Sequence, residues 1–217
     1  MYIVDRSVRF VHSFLKAYGP TSVKKFFWDR EYSSERWAFA YNTVGDCVYP
    51  HLERLAANGS ILDVGCGSGN TATEMAESSY RSYLGVDISE AALAKARRRS
   101  LECGRQDKNR FECGDFLTYV PPGQYDVILF RESMYHVPLS KVKETLDRYA
   151  EYLKEGGVII VRLFASSGDR ADGKDKYRPA AMLAIMETEF EVVEKCRYED
   201  PGRPTVIVFR PKAQVRN

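Results

Sequence analysis

A chain of 217 residues with 44% hydrophobic composition is long enough for one well-packed domain, and two independent ones would be crowded. Its 32 basic and 30 acidic side chains leave a formal charge of +2, which excludes a global electrostatic argument for nucleic-acid binding. The five cysteines are scattered and never form a C-x-x-C pair, so neither a disulfide framework nor a zinc site is expected, and a reducing, cytoplasmic setting is.

Asp5, Arg6, Arg9 and Lys16 interrupt the first nineteen residues before an apolar core can form, so no secretory leader is expected. No stretch approaches the roughly 20 apolar residues that span a bilayer, and no membrane role is expected. Within residues 3–17, Val4, Val8, Val11, Phe14 and Leu15 recur at helical spacing, and Gly19-Pro20 stops the helix. The next segment is the most aromatic, with Phe26, Phe27, Trp28, Tyr32, Trp37, Phe39 and Tyr41. Its large side chains either bury against the main body or roof a ligand; in the second case Tyr32 and Trp37 are the preferred contacts. From Asn42 to Ala57, Val44, Val48, Leu52 and Leu55 predict a further helix ending near Asn58-Gly59. Residues 1–57 therefore read as an N-terminal helical cap or lid on the same domain. His12 and His51 fall in amphipathic helices and read as structural.

The run S-I-L-D-V-G-C-G-S-G-N-T at residues 60–71 predicts strand, tight loop and helix. Gly65, Gly67 and Gly69 let backbone lie directly against a ligand. A dinucleotide fingerprint would place glycine where this chain has Asn70, so that pattern is incomplete. Asp87 ends a second apolar run, and its two oxygens can accept from both hydroxyls of a ribose. Ser89 is placed to cap the helix that follows.

Arg97, Arg98, Arg99, Arg105, Lys108 and Arg110 form the strongest local argument for nucleic acid. A helix dipole and a solvated surface are the more ordinary account of them, and no aromatic residues interleave to stack bases. A third strand near 110–113 leads to Asp115 and Phe116, which suit an adenine amino group and ring or, for Asp115, a turn cap. After a fourth strand at 125–130, R-E-S-M-Y-H-V-P-L-S lies where an open α/β sheet keeps its ligands, making Arg131, Glu132, Ser133, Tyr135 and His136 candidates. Residues 140–153 predict a helix broken by K-E-G-G, followed by a fifth strand ending at Arg162 to Phe164. A charged loop, a helix over 179–188 and two antiparallel strands complete the chain.

The D-V-G-C-G-S-G run resembles the first motif of class I S-adenosylmethionine-dependent methyltransferases. Asp87, the G-D-F of residues 114–116 and the segment after Phe130 extend the resemblance across residues 59–210. It implies an α/β, Rossmann-like, mostly parallel seven-stranded sheet with helices on both faces and an antiparallel last strand, residues 58–217 forming the methyltransferase domain beneath the N-terminal cap. It implies S-adenosylmethionine as cofactor, held by Asp63, Gly65, Cys66, Gly67, Gly69, Asp87, Ile88, Asp115, Phe116 and Arg131. The acceptor would be bordered by Tyr32, Trp37, Tyr135, His136 and Arg162. His136 could take or orient its proton, and Glu132 would share a face with His136 if that segment were helical.

The implied activity is methyl transfer to an oxygen or nitrogen of a small molecule. Arg131, Arg162, Arg170, Lys174, Lys176 and Arg178 lean toward an anionic acceptor. RNA or protein methylation is an alternative, weakened because Arg-Glu-Ser-Met stands where base methylation resembles an Asn or Asp-Pro-Pro-aromatic tetrapeptide. A non-catalytic cofactor-binding scaffold or regulatory protein is the other. With three histidines and none paired at ligand spacing, no catalytic metal is expected. The expected partner is a small-molecule acceptor rather than nucleic acid, for a monomer or homodimer.

Overall fold

The computed structural model describes residues 15, 19–34, 43–164, 178–199 and 202–212. His12, Trp37, Phe39, Tyr41, Arg170, Lys174 and Lys176, singled out in the sequence, lie outside the described residues. The elements in chain order are α1 (Thr21–Ser33), α2 (Tyr49–Ala56), β1 (Gly59–Val64), α3 (Asn70–Glu74), β2 (Tyr80–Asp87), α4 (Glu90–Glu102) and β3 (Asn109–Cys113). Then follow β4 (Tyr125–Arg131), α5 (Val142–Ala150), β5 (Leu153–Phe164), α6 (Pro179–Glu189), β6 (Glu191–Arg197) and β7 (Pro204–Arg210).

The strands form one seven-stranded sheet in the order β3-β2-β1-β4-β5-β7-β6. The first five run parallel, and β7 lies antiparallel between β5 and β6. β1 and β4 are almost wholly buried because helices cover both faces, which is why they read as continuous apolar runs. Side chains alternate between two cores. Leu62, Val64, Ile128 and Phe130 pack with Leu146 and Met186 of α5 and α6, whereas Ile61, Val127 and Leu129 pack with Leu52 of α2 and Leu93 of α4. Each such buried Leu, Ile or Val stabilises the fold by roughly 1.5–3 kcal/mol. The strand order reverses between β1 and β4, so the crevice at their C-terminal ends is where this architecture receives a ligand.

Three expected boundaries change. The helix expected over 42–57 begins only at Tyr49, because the Asp46 carboxylate caps the preceding turn through the Val48 N–H at 3.0 Å. The helix expected over residues 70–78 ends at Glu74, where Met75 turns extended. K-E-G-G does not break α5, which ends at Ala150. It lies inside β5, where Gly156 adopts φ +76° and the register against β4 jumps from Leu153 to Val158. Among the described residues, no helix is long and apolar enough to cross a membrane.

Candidate functional site

The glycine loop leaves β1 and turns back on β2, the Gly65 and Cys66 N–H groups donating to the Val86 carbonyl at 2.7 and 3.1 Å. Gly65 has φ +80°, and a Cβ there would sit 2.4 Å from Cβ of Ser133. Only glycine lets the chain after β4 approach so closely, and Ser133 fastens it by donating from Oγ to the Val64 carbonyl at 2.5 Å. Gly67 has φ +54°, and a Cβ there would meet the Tyr32 hydroxyl at 2.6 Å.

Two buried carboxylates flank the loop. Asp87 accepts from the Gly67 N–H through Oδ2 at 2.8 Å and from the Ser89 N–H through Oδ1 at 2.9 Å. Each oxygen keeps an acceptor position, and burial raises the carboxyl pKa despite these donors. Asp63 accepts from the Tyr83 hydroxyl at 2.5 Å through Oδ2. Its Oδ1 is buried and makes no hydrogen bond among the described residues, and burial pushes its pKa up to about 6. Cys66 is also buried, its thiol pKa raised by burial first and by Asp87 and Asp63 next.

α1 lies across this crevice. Positions 21, 24, 25, 28, 29 and 32 recur at helical spacing and form its inner face. Thr21 Oγ1 donates to Asp115 Oδ2 at 3.0 Å, and Lys24 pairs with the same oxygen. Lys25 Nζ donates to the Ile88 carbonyl at 3.3 Å, and Asp29 accepts from Ser89 Oγ and the Ala91 N–H at 2.8 and 3.1 Å. The Trp28 ring stands edge-on to His136 with centroids 4.8 Å apart, and the Tyr32 carbonyl accepts from Lys95 at 2.6 Å. The described part of the aromatic segment therefore meets the main body through a largely polar face, while Phe26 is exposed. Asp115 also accepts from the Leu117 N–H at 3.1 Å, so the turn-cap reading and the cleft position coexist. Phe116 is half-buried beside it, its carbonyl receiving bonds from Arg148 and Tyr149.

After β4 the chain does not form the helix that would put Glu132 and His136 on one face. Glu132 adopts φ +57°, and only residues 134–136 form a single 3-10 turn. The Glu132 carboxylate is directed to Arg162 at 2.5 Å, so it does not orient His136 through a shared helical face. Arg131 and Arg162 are both held by Asp46: Arg131 Nε and Nη2 donate to Oδ2 at 3.1 and 2.8 Å, and Arg162 Nε to Oδ1 at 3.0 Å. The two guanidinium groups thus enter the cleft already paired with carboxylates. Tyr135 donates its hydroxyl to the Phe164 carbonyl at 3.0 Å. Asp46 and Trp28 were not among the site residues read from the sequence; the available signal was only the helical spacing of Trp28 from Tyr32, and for Asp46 no motif exists.

Most of the basic cluster has partners within the fold, while Arg110 is exposed. Arg97 pairs with Glu90 and donates to the Phe111 carbonyl, Arg99 pairs with Glu74, and Arg105 donates to the Ala72 and Met75 carbonyls. Arg98 keeps a solvated pairing with Glu102, the ordinary fate of an exposed helical arginine.

Residues 36–198 match the profile of the methyltransferase domain family. The chain belongs to this methyltransferase family. It is 37% identical over 100 residues to the ubiquinone biosynthesis O-methyltransferase of Idiomarina loihiensis, covering 46% of this chain and 40% of that protein. It is 33% identical over 85 residues to the 27-O-demethylrifamycin SV methyltransferase of Amycolatopsis mediterranei, covering 39% of this chain and 31% of that protein. The alignments thus span less than half the length of these relatives. Among solved structures, N-methyltransferase NodS from Bradyrhizobium japonicum WM9, in complex with S-adenosylhomocysteine, superposes with a TM-score of 0.68 at 17% identity, covering 87% of this chain and 98% of that one. Magnesium protoporphyrin IX methyltransferase from Synechocystis PCC 6803 gives 0.68 at 15% identity, covering 88% and 100%. These likenesses are of fold.

The crevice offers a set of acceptors and, against the same helix, an aromatic pair. Asp63 with its unsatisfied oxygen can take a cationic amino group, Asp87 a pair of hydroxyls, and the remaining acceptor position on Asp115 an amino group. Gly65 and Gly67 supply bare backbone between them. His136, packed against Trp28, meets the same inner face of α1 that reaches Asp115 through Thr21 and Lys24.

Proposed function

We propose that this protein is an S-adenosylmethionine-dependent methyltransferase acting on an oxygen or nitrogen of a small molecule. The observation that carries the reading is Asp87, a buried carboxylate at the end of β2 with one oxygen on the glycine loop and both oxygens able to take a further donor. Asp63 Oδ1 supports the fit, because a buried oxygen without a partner is suited to the ammonium of the methionine part. Bound there, the cofactor supplies a methyl group made electrophilic by a sulfonium. Asp87 then holds the ribose hydroxyls, Asp115 and Phe116 border the adenine, and the chain from Arg131 to Ser133 lines the methionine part.

The remaining work is alignment and exclusion of water, since an in-line displacement needs little else. α1 covers the crevice and supplies that exclusion. His136 receives the acceptor's proton, and the Trp28 edge fixes its ring. The O-methyltransferase names of the curated relatives support a hydroxyl acceptor.

Titration calorimetry with S-adenosylmethionine and its demethylated product tests the cofactor. Asp87→Ala removes two hydrogen bonds to a charged acceptor, each contributing about 1.5–3 kcal/mol, so affinity should fall at least about 100-fold. Unchanged affinity would remove Asp87 from the site and the reading with it. Transfer of labelled methyl to a panel of phenols, carboxylic acids and amines, with RNA as a control, then identifies the acceptor class.

A further inference from the structure

At the edge of the sheet opposite β3, α2 reaches strand β6. Glu194 and Cys196 alternate along β6 and are its half-buried residues, and Tyr198 continues the same alternation just beyond the strand. All three face His51, which is buried in α2. His51 Nε2 lies 2.5 Å from the Tyr198 hydroxyl. Its other nitrogen, Nδ1, lies 3.1 Å from Glu194 Oε1 yet makes no hydrogen bond of acceptable geometry among the described residues. Cys196 Sγ lies 3.6 Å from the same Oε1, and the three donor atoms all fall within 4.8 Å of one another.

We propose that His51 Nδ1, Glu194 Oε1 and Cys196 Sγ form a zinc site that clasps α2 to the sheet edge. Zinc bonds of about 2.0–2.3 Å in a tetrahedral array put neighbouring donors roughly 3.3–3.6 Å apart; here the nitrogen–oxygen and oxygen–sulfur separations are 3.1 and 3.6 Å, and the nitrogen–sulfur pair falls within 4.8 Å. One nitrogen, one oxygen and one sulfur are a donor set that zinc accepts and that magnesium or calcium does not. The groups behind the ligands are also in place. Tyr198 engages the far nitrogen of His51, leaving Nδ1 as the metal-facing atom, and Arg54 holds Glu194 Oε2 at 2.6 Å, leaving Oε1. Three protein ligands leave a fourth position for water. The turn before α2 carries Asp46, which anchors Arg131 and Arg162, so the clasp ties the cleft floor to the far edge of the sheet. His51 stands far from Glu194 and Cys196 in the chain, which is why no ligand spacing shows in the sequence.

The test uses the full chain stripped of metal by a chelator and titrated with zinc against a chromophoric competitor, then with cobalt as a spectroscopic probe. One equivalent of zinc should bind with a dissociation constant in the micromolar range or tighter, and cobalt should show a thiolate charge-transfer band. Cys196→Ser should abolish the band and His51→Gln should abolish stoichiometric binding, while Cys103→Ser, on an exposed turn, should change neither. Absence of stoichiometric binding to the wild-type chain overturns the proposal, as does binding that survives both ligand substitutions. If a variant fails to fold, the wild-type cobalt spectrum decides: saturation at one equivalent with the thiolate band supports the site, and saturation without it overturns it.

Discussion

Asp46 holds two arginines at the floor of the crevice, and its removal has a cost that the geometry allows to be worked out. The side-chain exposures of Asp46, Arg162 and Arg131 are 4%, 7% and 14%, so the network is not a surface pairing discounted by solvent. In Asp46→Ala, Arg131 loses both hydrogen bonds to the carboxylate, and Arg162 keeps Glu132 alone. Deleting one member of a buried ion pair costs about 3–5 kcal/mol, because the partner charge stays buried and unpaired. For a domain of this size each kcal/mol lowers the melting temperature by roughly 2–4 °C, so the expected drop is about 6–20 °C by calorimetry. Acid should erase the difference. Burial alone would raise the Asp46 pKa, but Arg131 and Arg162 outweigh it and hold it below the ordinary value of 3.8. Its contribution is therefore complete above that value and lost as pH falls through the lower folded value, so wild type and variant should converge there. A loss under about 1 kcal/mol at neutral pH, the size of an exposed pair, would refute the closed cleft floor.

Gly67→Ala should weaken cofactor binding, because φ +54° costs a non-glycine residue about 1–2 kcal/mol and its Cβ would strike the Tyr32 hydroxyl. Adding Tyr32→Phe should restore part of the affinity in calorimetry; no restoration would take Tyr32 off the loop. Lys24→Met breaks the buried pairing with Asp115 and should speed hydrogen exchange across 21–33 at least about tenfold while leaving β1 protected. Unaltered exchange would mean that Lys24 does not anchor α1. His136→Ala should lower turnover roughly 10²–10⁴-fold with the cofactor dissociation constant unchanged. Equal turnover across the pH range would exclude His136 as the proton acceptor.

Much of the architecture is legible in local pattern. The apolar runs at 61–64 and 125–130 are buried on both faces, so burial writes itself into sequence as continuous hydrophobicity. Gly65 and Gly67 carry positive φ and lie so close to the side chains of Ser133 and Tyr32 that a Cβ is excluded, and this requirement is visible as glycine spacing. The boundaries that moved did so where a local signal had a tertiary use. K-E-G-G carries the breaker residues of a helix end, but its glycines serve a bulge in β5 against β4. The segment 131–136 has residues at helical spacing, but Glu132 turns with φ +57° to meet Arg162.

By itself, then, the sequence determined the parallel sheet, the loop that ends β1 and the acidic positions that end β2 and β3. These depend on periodicity, backbone freedom and side-chain chemistry within a few neighbouring residues. Only the tertiary structure decided that Asp46 neutralises Arg131 and Arg162, that Trp28 packs on His136, that Lys24 reaches Asp115, and that His51 meets Glu194 and Cys196. The reason is physical: a buried charge takes whichever opposite charge the fold brings within hydrogen-bond reach. Arg131 and Arg162 lie 85 and 116 residues from Asp46, separations over which no local spacing rule operates.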